Sequence, residues 1–323
     1  MTTVAGEIDV VFVIDETGSM GSQISSVKQN VKSIVSTITS LPHCKSLRFG
    51  LIGYHDHEDG SQWAVKLHVP LTADLSAMVR GVDEMGPAGG ADYPECVADG
   101  LYELARLGWR SSAAKTAVLI ADAPPHGVGG SGDTFPDGCP CGSDWLEQVE
   151  ACRELGVVIH TVACSGLAER WVWEKIASET FGQCFDLSDY SKLPALITGV
   201  ADCDLDKQRI ASEVLLEITG HRPELLSLKD ERERLDALFA TLARRGLATR
   251  GKERADSSVA DRPLCREDVI QAINTLRRLE AGNIHEVFPD LGIEDEDPAA
   301  AMKAGLFDRK TNAPVPLKAV EAN

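Results

Sequence analysis

The feature that most constrains the fold of this chain is an alternation of apolar runs with amphipathic segments over residues 1–200. Ile8–Ile14 is almost wholly apolar, which is typical of a strand buried on both faces. Ser22–Ile38 follows with apolar residues at steps of three and four, the spacing of a helix with one buried face. Strands that alternate with helices predict a doubly wound, mainly parallel α/β sheet that helices cover on both sides.

Six runs have the pattern of strands, and one of them is expected to be antiparallel. A short polar loop, His55–Gln62, separates two of the runs, so the second of these is predicted to form an edge strand in a hairpin. The predicted strands are Ile8–Ile14, Leu47–Tyr54, Trp63–Val69, Ala117–Ala121, Val157–Val162 and Gln183–Leu187. The predicted helices after the first are Leu75–Val82, Pro94–Leu107, Trp145–Leu155, Leu167–Thr180 and Leu193–Ala201.

The pattern changes beyond residue 202, where no strand-like run occurs. Apolar spacing there predicts three helices, Ile210–Ile218, Leu225–Leu242 and Glu267–Leu279. The last thirty or so residues lack periodicity and have the composition of a tail. We therefore expect a sheet domain over residues 1–202, a helical C-terminal extension over 203–290 and a flexible tail over 291–323.

Composition excludes several classes of partner. The chain has 32 basic and 50 acidic side chains and a net charge of −18, which disfavours nucleic acid and anionic membrane surfaces. No apolar stretch is long enough to span a membrane, and the first residues lack the basic region of a signal peptide. Nine cysteines, an odd number, indicate reduced thiols and predict a cytoplasmic protein.

Side chains that carry oxygen follow the predicted strands. Asp15, Thr17 and Ser19 alternate directly after the first strand, so three oxygens lie on one side of an extended turn. Asp122 follows a later buried strand, and Asp92 lies in a glycine-rich loop between them. Because the carboxyl ends of parallel strands meet at one edge of a sheet, these groups are expected to converge. An all-oxygen set predicts a hard divalent cation, Mg²⁺ first, with Mn²⁺ or Ca²⁺ as alternatives.

These motifs resemble the metal-ion-dependent adhesion site of von Willebrand factor A-type (VWA) domains. The resemblance rests on DETGS at 15–19, GGAD at 89–92 and Asp122, and it covers about residues 6–201. The phrases GYHDH, GGADYPE and ADAPPHG are similar to those of A-type domains linked to alpha-kinases and of bacterial relatives associated with AAA+ ATPases. The resemblance implies a non-enzymatic adaptor that binds a protein partner at its metal face, with an AAA+ ATPase or a kinase as the candidate partner.

The resemblance also implies a role for each metal-site residue. Thr17 and Ser19 would be direct hydroxyl ligands, and Asp15 and Asp122 would hold the ion directly or through water. Asp92 departs from the family, many of whose members have Thr there. Three carboxylates around one divalent ion make a fourth from a partner less favourable. We therefore expect tighter, constitutive metal binding and a weaker dependence on an acidic partner residue.

Four polar side chains near the same strand ends are candidates to orient the metal ligands through hydrogen bonds. Three of them follow the second predicted strand, and the fourth follows Asp122. A solvated hairpin explains the first three of these residues equally well. The four candidates are His55, Asp56, His57 and His126.

A second, less specific metal pattern lies in the glycine-rich stretch 127–144. Cys139 and Cys141, together with His126, are candidate zinc ligands. Only one residue separates the two cysteines, and the sequence contains no second pair of the usual spacing. The stretch is therefore interpreted first as a surface loop that shapes the binding face.

The alternative to an interaction module is a metal-dependent hydrolase or phosphatase that uses Asp15 and Asp122. A phosphotransferase with an aspartate nucleophile after the first strand would have a second aspartate two residues on, where this chain has Thr17. No nucleophile motif of the Gly-x-Ser-x-Gly type occurs either. The residues therefore favour binding over catalysis.

Overall fold

A six-stranded sheet forms the centre of the computed structural model, which describes residues 6–41, 43–57, 64–90, 92–164, 167–187, 190–248, 264, 266–278 and 283–289. The strands are β1 (Glu7–Asp15), β2 (Ser46–Tyr54), β3 (Val65–Thr72), β4 (Ala114–Ala121), β5 (Val157–Cys164) and β6 (Cys184–Leu187). Their order is β3-β2-β1-β4-β5-β6, and every neighbouring pair is parallel except β2 and β3. The predicted doubly wound, mainly parallel sheet is confirmed.

The central strand β1 separates two apolar cores. Val10, Phe12 and Ile14 pack into the core on one face of the sheet. Val11 and Val13 pack into the core on the opposite face. Because both faces are covered, the strand has an unbroken apolar run rather than an alternation of apolar and polar residues.

Helices cover both faces of the sheet. One layer contains α1 (Gly21–Thr39), α2 (Leu75–Glu84) and the first half of the long helix α6 (Leu193–Gly220). The other layer contains α3 (Val97–Ala105), α4 (Trp145–Glu154) and α5 (Arg170–Glu179). The carboxyl ends of β1 and β4 therefore open between two helical layers, where a doubly wound sheet binds its ligands.

The edge strand β3 has the predicted antiparallel direction. It continues past the predicted end at Val69 and through Pro70, a residue without a backbone N–H. Proline is tolerated there because only one side of an edge strand is paired. The pairing with β2 is also irregular between Phe49 and Leu51, where the register shifts.

Helix α3 begins three residues after the predicted start at Pro94. The backbone before it is held by other partners: Glu95 N donates to Pro124 O at 2.9 Å, and Cys96 N donates to His55 O at 3.0 Å. These bonds hold the segment against the loops at the carboxyl edge of the sheet. Residues 94–96, which were predicted to form the first turn of the helix, therefore lie among the loops at this edge of the sheet.

The C-terminal extension is helical, as predicted. Helix α6 runs past its predicted end at Ala201 and through the proposed domain boundary, and its second half packs in a third apolar core with residues of α8 (Glu231–Arg244) and α9 (Arg266–Arg278). The division at residue 202 remains a prediction, and the predicted tail 291–323 lies outside the described residues. None of the described helices combines the length and hydropathy of a transmembrane span.

The predicted helix Leu225–Leu242 is two helices, α7 (Arg222–Leu226) and α8. The side chain of Asp230 accepts a hydrogen bond from Glu233 N at 2.8 Å. This bond caps a new helix start. The apolar spacing is continuous across the break, so periodicity alone predicted a single helix.

A buried ionic contact fastens α6 to the sheet. Asp204 Oδ2 accepts from Thr116 Oγ1 at 2.8 Å and lies 3.0 Å from His160 Nε2, while Lys207 Nζ lies 3.2 Å from Asp204 Oδ1. Burial alone would raise the pKa of Asp204, but Lys207 and His160 outweigh it and hold that pKa well below its usual range.

The folded-state pKa of Asp204 is depressed, so its ionised form stabilises the fold above about pH 4, and that contribution is lost as the pH falls. Asp204→Asn is expected to lower the free energy of unfolding by about 3 kcal/mol near neutral pH. Urea unfolding should show this loss shrinking at about pH 2–3. The exposed Asp83→Asn variant is the control. A loss that does not change with pH would contradict the assignment.

Candidate functional site

A cleft of about 320 Å³ opens at the carboxyl ends of β1 and β4. Four of the five predicted metal ligands line it, and the fifth, Asp15, is fully buried next to Thr17. The polar side chains that line the cleft are Thr17, Ser19, Asp92, Tyr93, Glu95 and Asp122. The separate sequence motifs therefore meet in one place.

Oxygen atoms of four side chains form a continuous line in this cleft. Thr17 Oγ1 donates to Asp15 Oδ1 at 2.6 Å and lies 3.3 Å from Ser19 Oγ. Ser19 Oγ donates in turn to Asp122 Oδ1 at 3.0 Å. Two carboxylates and two hydroxyls from two strand ends thus form a chain in which each group contacts the next, and such oxygen donors suit a hard cation.

Local backbone geometry explains why these groups converge. Thr17 N donates to Asp15 Oδ1 at 2.8 Å, a turn closed by the aspartate side chain where β1 ends. Gly18 N then donates to Gly89 O at 3.3 Å and draws the GGAD loop over the turn. Gly89 and Gly90 have φ values of +73° and +92°, which glycine adopts without strain.

The protein environment is electrostatically unfavourable for an ionised Asp15. Its side chain has no exposed surface, and Oδ2 has no hydrogen-bond partner. Burial, with the nearby charges of Asp122 and Glu16, raises the pKa of Asp15 from 3.8 to about 7. Burial also raises the pKa of Asp122. A buried carboxylate oxygen without a hydrogen-bond partner is costly and calls for an explanation.

Asp92 lines the same cleft but is held by a different loop. Its Oδ2 accepts from Thr134 N at 2.7 Å and from Thr134 Oγ1 at 2.6 Å. Its Oδ1 is buried and has no hydrogen-bond partner. Thr134 therefore fixes one carboxylate oxygen of Asp92 at the cleft. The sequence pattern did not predict this role of Thr134.

His126 is a buried bridge between two aspartates. Its Nε2 lies 2.9 Å from Asp56 Oδ1, and its Nδ1 lies 2.8 Å from Asp133 Oδ1. Burial alone would lower the pKa of His126, but the two carboxylates raise it to about 9. His126 is therefore a cation at neutral pH. Because Asp133 directly precedes Thr134, this contact helps to hold the loop that positions Asp92.

The other three candidate orienting residues have different surroundings. Asp56 is the buried partner of His126 and also accepts from His57 N at 2.6 Å. His55 Nδ1 lies 2.9 Å from Ala88 O, next to the GGAD loop. The imidazole of His57 instead lies beside Asp99 and the thiol of Cys139. Orientation of the metal ligands by these residues remains a prediction.

Two side chains beside the cleft, those of Glu16 and His68, have almost no exposed surface and were not among the predicted site residues. Glu16 Oε2 lies 2.6 Å from His68 Nε2, and Glu16 Oε1 accepts from Gly86 N at 3.1 Å. Glu16 thus connects the end of β1 to the loop before Gly89. A Cβ at Gly53 would approach Glu16 Oε2 to 1.7 Å, so any other residue at that position of the GYHDH motif would displace the Glu16 side chain from His68. In the sequence, the glycine at position 53 is the one feature that hints at this contact of Glu16.

The raised pKa of Asp15 sets the direction of a pH effect in the absence of divalent ions. The stability that the protonated acid contributes is complete below about pH 4 and is lost as the pH rises through about 7. Asn keeps the oxygen that accepts from Thr17 and carries no charge.

In a chelating buffer, Asp15→Asn should therefore be more stable than the parent protein by about 1–3 kcal/mol near pH 8, and close to it near pH 4. Denaturant unfolding at both pH values measures the difference, with Asp83→Asn as the control for a changed surface charge. A variant that is less stable than the parent near pH 8 in chelator would refute the electrostatic assignment.

Comparison with known proteins gives consistent matches. The sequence model of the von Willebrand factor type A domain matches residues 9–199. Alpha-protein kinase vwkA of Dictyostelium discoideum is 30% identical over 137 residues, which are 42% of this chain and 22% of the kinase. The chain thus spans about a fifth of the length of that curated relative.

Two solved structures are among those to which the chain is similar. A von Willebrand factor type A protein from Catenulispora acidiphila is 18% identical, with a TM-score of 0.47, over 62% of this chain and 43% of the other. The pilus adhesin SpaC of Lactobacillus rhamnosus GG is 15% identical, with a TM-score of 0.47, over 62% of this chain and 30% of the adhesin.

The family assignment rests on the match between sequence and fold. The family model covers more than half of the chain, and its bounds enclose the six-stranded sheet from within β1 to within α6. The metal-site motifs lie inside the same bounds. The chain belongs to the von Willebrand factor type A domain family.

Proposed function

We propose that this chain is a non-enzymatic protein-interaction module that depends on a divalent metal, with Mg²⁺ in the cleft and a protein partner bound over it. Domains of the VWA family commonly mediate protein interaction or adhesion. The observation that supports metal dependence is the line of oxygens from Asp15 to Asp122, with Asp15 Oδ2 buried and without a hydrogen-bond partner.

The residues fit a Mg²⁺ ion in chemistry and in charge. Thr17 and Ser19 supply neutral hydroxyl oxygens, and Asp15 and Asp122 supply negative charge. Asp92 supplies a third carboxylate, which Thr134 holds in place. When bound, the ion gives the cleft an electrophilic contact for an oxygen atom of the partner. Three carboxylates leave the loaded site with a net negative charge, so a neutral oxygen is a more favourable partner ligand than a carboxylate.

Partner specificity would come from the loops that surround the ion. These loops join structural elements at the carboxyl edge of the sheet and carry His55, Gly89 and the residues after Asp122. The similarity to the kinase vwkA is compatible with a kinase as the partner. The resemblance of the sequence motifs makes an AAA+ ATPase a second candidate partner. In this proposal the helical extension attaches the module to that larger assembly.

Mg²⁺ should stabilise the folded chain, because it binds a site that the unfolded chain lacks. At a Mg²⁺ concentration of about 100 times the dissociation constant, we expect a gain of about 2.7 kcal/mol in the free energy of unfolding. Asp15→Ala should abolish this gain, and Asp83→Asn should retain it. If Mg²⁺ stabilised Asp15→Ala as much as the parent protein, the ion would not bind at Asp15 and the proposed site would be wrong.

Partner capture tests the interaction itself. Immobilised full chain should retain its partner from lysate in Mg²⁺ and release it in EDTA, and Asp15→Ala should retain little in either buffer. Retention that survives EDTA would contradict metal dependence. Turnover of a generic phosphoester that requires both Mg²⁺ and Asp15 would instead support the hydrolase or phosphatase alternative.

Asp92→Thr tests the role of the unusual third carboxylate. Threonine keeps an oxygen but removes a negative charge, so Mg²⁺ affinity should fall by about tenfold or more, as expected for the loss of one charged group beside the ion. Isothermal titration at constant pH measures the affinity. The control is Thr134→Val, which keeps the carboxylate and should lower affinity less. Unchanged or higher affinity in Asp92→Thr would show that Asp92 does not bind the ion.

A further inference from the structure

A second cluster of metal-binding side chains lies outside the cleft, where the loop between β4 and α4 meets α3. It contains one imidazole nitrogen, one carboxylate and two sulfur atoms, all within 4.8 Å of one another. They come from three separate segments of the chain, so the fold rather than the sequence spacing brings them together. The four residues are His57, Asp99, Cys139 and Cys141.

Each member of this cluster contacts at least two others. Cys139 Sγ lies 3.1 Å from His57 Nε2, 3.1 Å from Asp99 Oδ2 and 3.0 Å from Cys141 Sγ. Asp99 also lies 2.9 Å from Cys141 Sγ through Oδ1 and 3.2 Å from His57 Nε2 through Oδ2. Donors of a tetrahedral zinc site lie about 3.3–3.8 Å apart, so each would move outward by a few tenths of an ångström.

Hydrogen bonding alone is a weak explanation for this arrangement. Thiols are weak donors and weak acceptors, so two of them beside a carboxylate gain little from one another. Two thiolates, an imidazole and a carboxylate are, however, a ligand set that suits zinc, whereas Mg²⁺ selects oxygen ligands. We propose that His57, Asp99, Cys139 and Cys141 form a closed, structural zinc site that is separate from the Mg²⁺ cleft.

Two glycines and a tight turn determine where the two cysteine side chains lie. Gly138 and Gly142 flank them with φ values of +110° and +79°, a conformation that other residues rarely adopt. Gly142 N donates to Cys139 O at 2.9 Å and closes a tight turn. This turn brings both thiols to the same side of the loop, although only Pro140 separates Cys139 from Cys141.

Zinc at this position would hold the long loop between Ala121 and Trp145. Loops longer than about 12–15 residues without helix or strand are uncommon in compact domains and are often functional. The ion would connect this loop to α3 through Asp99 and to the end of β2 through His57. The same loop carries Thr134, which holds Asp92 in the cleft. The zinc site would thus fix one wall of the interaction face.

The test measures bound zinc on the full, reduced chain. The protein is loaded with Zn²⁺ in excess Mg²⁺, desalted, and its metal content is determined by mass spectrometry. We expect one zinc per chain in the parent protein. Cys141 is exposed, so Cys141→Ser should leave the packing intact, and it should lower zinc affinity by about 100-fold or more, since even loss of an orienting residue costs about 10–100-fold.

Two cysteines outside the set serve as matched controls. Cys203→Ser and Cys44→Ser each remove a partly buried thiol that is not part of the cluster. Both variants should keep one zinc per chain. Absence of bound zinc in the parent protein, or equal zinc affinity in Cys141→Ser and the parent protein, would overturn the proposal.

Cobalt substitution provides a measurement that does not depend on any variant. Co²⁺ in the parent protein should give the visible bands of a tetrahedral ion and the charge-transfer band of bound thiolates. A spectrum without thiolate charge transfer would also overturn the proposal. Neither measurement involves Mg²⁺ affinity or a protein partner, so a negative result here would leave the proposed function of the cleft unaffected.

Discussion

The candidate site depends on one unfavourable feature, a carboxylate buried at the end of the central strand. β1 lies between β2 and β4 and is covered by helices on both faces, so Asp15, its last residue, has no access to water. Hydrogen bonds from Thr17 satisfy only one of the two carboxylate oxygens. An ionised Asp15 is therefore costly in this environment, and in our proposal a bound cation offsets its charge. This arrangement follows from the fold, which places Asp15, the two hydroxyl groups after it and Asp122 at one edge of the sheet.

The loop between β4 and α4 connects the structural features around this edge. Its His126 is a buried cation between Asp56 and Asp133, and its Thr134 positions Asp92 in the cleft. Further along, its two cysteines meet side chains of α3 and of the segment after β2. One loop thus links the cleft with the proposed Mg²⁺ site, a charged contact and the proposed zinc site. Under this account, the shape of the partner-binding face depends on how firmly that loop is held.

Local patterns predicted the sheet well, because they report burial directly. The run Ile8–Ile14 indicated a strand covered on both faces, and the alternating oxygens after it indicated a site at the strand end. Patterns failed where a long-range hydrogen bond determines the local structure. The backbone N–H of Glu95 donates to Pro124 O, and α3 therefore begins at Val97 rather than at Pro94. The partners Thr134 and Asp99 could not be inferred from spacing either, because only the folded chain brings them to Asp92 and to the cysteines.

The most direct test of the central claim is to locate a metal ion in the cleft. Crystals of the chain grown with Mn²⁺ in place of Mg²⁺ would show the ion by its anomalous scattering. We predict one strong peak in the cleft, about 2.0–2.3 Å from the hydroxyl oxygens of Thr17 and Ser19, as expected for a small divalent cation bound by oxygen. A cleft without an anomalous peak at a saturating Mn²⁺ concentration would contradict the claim that buried Asp15 exists to bind a metal.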